Sequence, residues 1–115
     1  MTTVNTNKEV ILNYISSLDN FEYDKARSYL HEKVKVIGPA GESFADSDSF
    51  IKMLSEYKGK YDLRKIFVDG KDVSIFYSYN NGPIKMFMAS WYTIESGKIG
   101  SVQTIFDSKA VSGAE

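Results

Sequence analysis

Residues 10–41, VILNYISSLDNFEYDKARSYLHEKVKVIGPAG, decide the fold. Val10, Ile11, Tyr14, Ile15 and Leu18 recur at the spacing of one helical face, while Lys8, Asn13, Ser16 and Ser17 fall on the others. Just upstream, Thr6-Asn7-Lys8-Glu9 fits a capping box, with Thr6 accepting from the backbone and Glu9 reaching back. A first helix is therefore expected over residues 7–19. Asp19-Asn20 interrupts it, and Tyr23 to Leu30 reads as a second, shorter helix burying Ala26, Tyr29 and Leu30. Val34-Lys35-Val36-Ile37 alternates as a strand, and Gly38-Pro39-Ala40-Gly41 ends it. Within this frame Tyr14 is the one polar-tipped member of the apolar stripe. A buried tyrosine must satisfy its hydroxyl with a protein acceptor or a ligand. The pattern predicts a pocket with a hydroxyl pointing into it.

Beyond a polar loop, Asp46 or Ser47 caps a third helix carrying Phe50, Ile51, Leu54 and Tyr57. From residue 61 the apolar period changes to two. Four strands are expected: Tyr61 to Val68, Val73 to Tyr79, Ile84 to Ile94 and Ile99 to Phe106. Asp69-Gly70, Asn81-Gly82 and Ser96-Gly97 stand between them as tight turns. Three helices followed by an antiparallel meander is an α+β arrangement in a single domain, with its core over residues 7–107 and a loose tail at 108–115. The third of these long strands, IKMFMASWYTI, is apolar at nearly every position and needs cover on both faces. Helices cover one face, so a homodimer formed sheet to sheet is expected; the alternative cover is the tail or a loop.

Composition excludes several classes. The chain has 115 residues, 43% hydrophobic and 25% charged, with a net charge of -1. No basic stripe exists to neutralise phosphates, so neither nucleic acid nor an anionic membrane surface is an expected partner. With no cysteine, disulfides and thiolate chemistry are impossible. His31 is the single histidine, expected on the solvent side at the end of the second helix, and no metal site is predicted. Gly38 and Gly41 flank a turn and form no phosphate cradle, and no cofactor is predicted. No apolar run approaches the roughly 20 residues that span a bilayer. The N-terminus lacks a signal-peptide pattern, and a cytoplasmic location is expected.

The order of elements, the helix-helix-strand-Gly-Pro opening and the closing Glu95-Ser96-Gly97-Lys98-Ile99 resemble the nuclear transport factor 2-like superfamily. That superfamily includes the SnoaL-like polyketide cyclases and the ketosteroid isomerases. The resemblance spans residues 7–107. It implies a cone-shaped, strongly curved sheet wrapped over three N-terminal helices, an apolar pocket at one end, and dimers through the outer sheet face. In ketosteroid isomerases a first-helix tyrosine donates to the developing oxyanion, and Tyr14 falls at that position. The resemblance places the second donor, an aspartic acid, at Ala89, and the aspartate base at Gly38. Two of the three catalytic groups are thus absent, and proton abstraction loses its main agent. In the SnoaL-like cyclases an acidic residue near the barrel end is the acid-base group, and Asp107 is the nearest candidate. The Asp-Arg-Asp set of the epoxide hydrolases is not matched by Asp62 and Arg64, which read as an exposed polar pair.

The resulting expectation is a small-molecule pocket protein for an apolar, cyclic ligand, with Tyr14 as donor and Asp107 as the candidate acid-base group. Alternation puts Val102, Thr104 and Phe106 on the pocket side. Phe87, Ala89 and Trp91 share one parity and are assigned to the same side, with Trp91 as a flat apolar wall. Tyr77 and Tyr79 are placed near the mouth. The alternative is a dimeric interaction module whose pocket is vestigial.

Overall fold

The computed structural model describes residues 6–107. The expected tail, residues 108–115, lies outside the described residues.

Helix α1 (Asn7–Asp19) begins with the expected capping box: the Glu9 N–H donates to the Thr6 hydroxyl at 3.1 Å, and the Thr6 N–H donates to the Glu9 carboxylate at 2.8 Å. Its stripe is buried as read, with one addition. Ser17 is 1% exposed, and its hydroxyl donates to the Asn13 carbonyl at 2.8 Å, so the polar group enters the core satisfied. Helix α2 is only Tyr23–Arg27, because the Ser28 hydroxyl and N–H both bond back to Lys25 and close the turn. Leu30 instead opens strand β1 (Leu30–Ile37), and His31 therefore lies on a strand. The His31 Nε2 meets the Glu95 carbonyl at 2.6 Å. Helix α3 (Ser47–Tyr57) is capped by Asp46, whose carboxylate accepts from the Ser49 N–H and hydroxyl, each at 2.9 Å.

Strands β2 (Lys60–Asp69), β3 (Asp72–Asn80), β4 (Lys85–Glu95) and β5 (Lys98–Phe106) follow as an antiparallel meander. The sheet runs β1-β5-β4-β3-β2, curved and unclosed. One pair departs from the antiparallel expectation: β1 runs parallel to β5, with Val36 beside Val102. Within the meander two bulges break the simple alternation. Leu63 faces Tyr77 but Lys65 faces Phe76, leaving Arg64 extra on β2. Ile94 faces Ile99 but Thr93 faces Ser101, leaving Gly100 extra on β5. Each inserted residue bends its strand and reverses which side chains face inward beyond it.

The core lies between the helices and the concave face of the sheet. Ile11, Leu18 and Ala26 from the helices meet Val73, Ile75, Ile94, Ile99 and Val102 from the strands. The convex face is different. Phe67, Phe76, Phe87, Trp91 and Ile105 are 38–62% exposed there. Phe76 packs on Phe67 and Phe87 with ring centroids 6.1 and 6.3 Å apart. The exposed Asp62 and Arg64 pair with each other at 3.1 Å.

Candidate functional site

A cavity of about 370 Å³ opens between α1, α3, the Gly38-Pro39 turn and the concave face of β2 to β5. Its inner end is formed by Tyr14, Leu18, Tyr77, Ser90, Tyr92 and Val102, all buried. Its rim is formed by more open residues: Pro39, Glu42, Tyr57, Asn81 and Ile84. Most of the lining is aromatic, aliphatic or thioether, so the space favours an apolar body.

Polar groups at the inner end are few and organised. The Tyr77 hydroxyl lies 2.9 Å from the Ser90 hydroxyl, which lies 2.9 Å from that of Thr104. Tyr14 is 1% exposed and packs edge-on against Tyr92, with centroids 5.9 Å apart. Its hydroxyl has no hydrogen-bond partner among the described residues, and the residue lines the cavity. An alcohol or carbonyl entering the cavity would find an unengaged donor there.

Burial, reinforced by neighbouring tyrosines, pushes Tyr14, Tyr61 and Tyr92 well above the ordinary value near 10. Tyr77 is pushed up to about 12 by burial, with the Ser90 hydrogen bond opposing. These phenols are therefore donors and not bases at neutral pH. The same shifts fix a pH dependence. Above pH 10 the unfolded chain releases tyrosine protons that the folded chain retains, so it binds fewer protons and stability falls as pH rises. The contribution is complete below 10 and is lost towards 12, with Tyr77 alone accounting for roughly 2–3 kcal/mol. Tyrosinate absorbance and loss of far-ultraviolet circular dichroism should rise together in an alkaline titration. Reversible ionisation of all tyrosines near pH 10 with the fold intact would contradict this burial.

The structure sorts the residues singled out from sequence. Tyr14, Val102 and Thr104 line the cavity, as do Tyr77 and Tyr79. Phe106 has the inward parity, opposite Met88, but is not part of the lining. Phe87, Ala89 and Trp91 are not pocket residues. They lie on the convex face, where Ala89 sits between Phe76 and Ile105 and the Trp91 indole N–H donates to Asp72 at 3.0 Å. The physical reason is the Gly100 bulge, which pairs Tyr92 with Val102 and so turns the even-numbered residues of β4 inward. Ala89 is for the same reason no counterpart of an inward-facing donor. Asp107 follows β5, is exposed, and is not in the lining; its N–H donates to the Phe87 carbonyl at 3.1 Å.

Sequence reasoning missed Met86, Met88, Ser90 and Tyr92, which the other parity of β4 would have supplied, and Glu42, which no periodicity marks. Glu42 is the one carboxylate among the described lining residues, and none of them is Lys, Arg or His. Among the described residues no group of three or more His, Cys, Asp or Glu converges as metal ligands. No described helix is long and apolar enough to cross a membrane.

No protein-family model matches the chain, and no curated protein matches its sequence. Solved structures do match. A nuclear transport factor 2-like (NTF2-like) protein of unknown function from Cytophaga hutchinsonii superposes with a TM-score of 0.89 at 26% identity, over 96% of this chain and 98% of that one. An LEH-like epoxide hydrolase from M. tuberculosis gives 0.82 at 13% identity, over 94% and 87%. A protein assigned to the SnoaL-like polyketide cyclases, from Shewanella denitrificans, gives 0.81 at 14% identity, over 94% and 95%.

Proposed function

Because the chain belongs by fold to the nuclear transport factor 2-like superfamily, we propose that it is a small-molecule pocket protein of the SnoaL-like kind, binding an apolar, ring-bearing ligand. The observation that carries this reading is the open cavity of about 370 Å³ with donor hydroxyls at its inner end. An apolar ligand body would be held by burial, and a carbonyl or hydroxyl on it by Tyr14 and the Tyr77-Ser90-Thr104 chain. Any cyclase- or isomerase-like step would use those hydroxyls to stabilise developing negative charge on a ligand oxygen. Among the described lining residues the one carboxylate, Glu42, lies at the rim and away from these inner hydroxyls, which makes binding the better-supported role. The resemblance offered Asp107 as the acid-base group, and its position outside the lining weighs against that role.

The convex face belongs to the same reading, as the interface of a homodimer. A dimeric module without ligand function is favoured only by that apolar face, and an open, hydroxyl-bearing cavity argues against a pocket that has been filled in.

The test is saturable binding of 2-naphthol, a neutral ring with one hydroxyl, followed by calorimetry and by amide shift changes. Shifts should concentrate at Tyr14, Ser90 and Tyr92. Absence of saturable binding, or shifts confined to the convex-face residues, would remove the pocket reading.

A further inference from the structure

We propose that the cavity selects a cationic ligand, an organic amine whose apolar ring enters the cavity while its ammonium group stays at the rim beside Glu42. This rests on the pocket reading above and adds a charge to it.

The first support is the electrostatic make-up of the lining. Glu42 is its one ionic side chain among the described residues, and six tyrosines and two phenylalanines surround the space. An anionic ligand would lose hydration and meet no cation in exchange, which is costly. An ammonium group would instead meet a carboxylate and electron-rich ring faces, the combination used to recognise amines.

The second support is that Glu42 is positioned. Its Oε1 accepts from the Ala40 N–H at 3.0 Å, and the Gly38 N–H donates to the Glu42 carbonyl at 2.8 Å. The carboxyl group thereby folds back over the turn onto Gly38, into the space that a Cβ at residue 38 would need. The closeness comes from the missing Cβ and not from backbone conformation, since the φ of Gly38 is not positive. None of the ion pairs among the described residues involves Glu42. A fixed carboxylate at the mouth of an aromatic cavity, without a partner cation, is suited to a cation that arrives with the ligand.

The experiment compares three probes of one shape by calorimetry at low salt: 2-naphthylmethylammonium, 2-naphthalenemethanol and 2-naphthoate. The ammonium should bind about tenfold more tightly than the alcohol, and the carboxylate most weakly. In Glu42→Gln the ammonium-to-alcohol ratio should fall to about one. Gly38→Ala keeps the charge but displaces the carboxylate, whose flexible end moves at little cost, so the ratio should fall while the melting temperature holds. Equal or tighter binding of 2-naphthoate overturns the proposal, as does an ammonium preference that survives both substitutions. If the alcohol binds without any preference for the ammonium, the cationic ligand is wrong and the pocket stands. If the alcohol does not bind either, the pocket reading fails and takes this one with it.

Discussion

Replacing Tyr14 by alanine is expected to lower the unfolding free energy by about 3–5 kcal/mol, whereas phenylalanine should cost less than about 1 kcal/mol. The ring accounts for the difference. It is buried against Tyr92 within the α1 stripe, and its loss would enlarge a cavity whose walls are already held apart by the curved sheet. A site that cannot collapse pays the full cavity term of a large-to-small substitution. The hydroxyl is another matter. It has no hydrogen-bond partner among the described residues, so phenylalanine forfeits no internal bond. What phenylalanine should lose is ligand affinity, by about five- to tenfold for 2-naphthol. Urea denaturation of both variants, with calorimetry on the phenylalanine form, separates the two roles. A cost above about 2 kcal/mol for phenylalanine would mean that the hydroxyl serves the fold. An unchanged affinity would mean that it does not reach the ligand.

The first and third helices were legible because their signals are local, whereas the second was read three residues too long, to Leu30. The capping box at Thr6-Glu9, the stripe of α1 and the Asp46 cap each depend on residues within a few positions of one another. The turns at Asp69-Gly70 and Ser96-Gly97 were legible for the same reason, with Gly70 and Gly97 both at positive φ. The inner face of β4 was not. Its sequence is apolar on both parities, with Met86, Met88 and Tyr92 on one and Phe87, Ala89 and Trp91 on the other. Hydrophobicity could not choose between them, and only the register could. Carried outward from the tight turn pairing Glu95 with Lys98, the register would set Trp91 opposite Val102; the single extra residue at Gly100 sets Tyr92 there instead. The parallel partnership of β1 with β5 joins residues about 65 positions apart, and nothing within either strand announces it. Glu42 was invisible for a further reason. Its place at the cavity mouth depends on a loop folding over Gly38, a contact that the spacing of residue types does not encode.

A single charge on the convex face, Phe76→Glu, is expected to convert the proposed dimer into a monomer, raising its dissociation constant at least a thousandfold, or about 4 kcal/mol. Isolated exposed apolar residues are ordinary on any protein surface; a contiguous set is not. Here Phe76, Ala89 and Ile105 stand side by side on β3, β4 and β5, with Phe67, Phe87 and Trp91 around them. Ala89 is the small residue in this row, between Phe76 and Ile105, where the proposed partner surface would have room for a ring. In a two-fold interface every substitution occurs twice, so the variant buries two carboxylates and removes two aromatic anchors. Residue 76 faces away from the cavity, so circular dichroism and 2-naphthol binding should persist in the monomer. Light scattering coupled to size exclusion reads the outcome directly. A wild-type monomer at micromolar concentration would refute the dimer itself. A variant that remains dimeric would move the interface off this face, with the outer edges of β1 and β2, the end strands among the described residues, as the next surfaces to test.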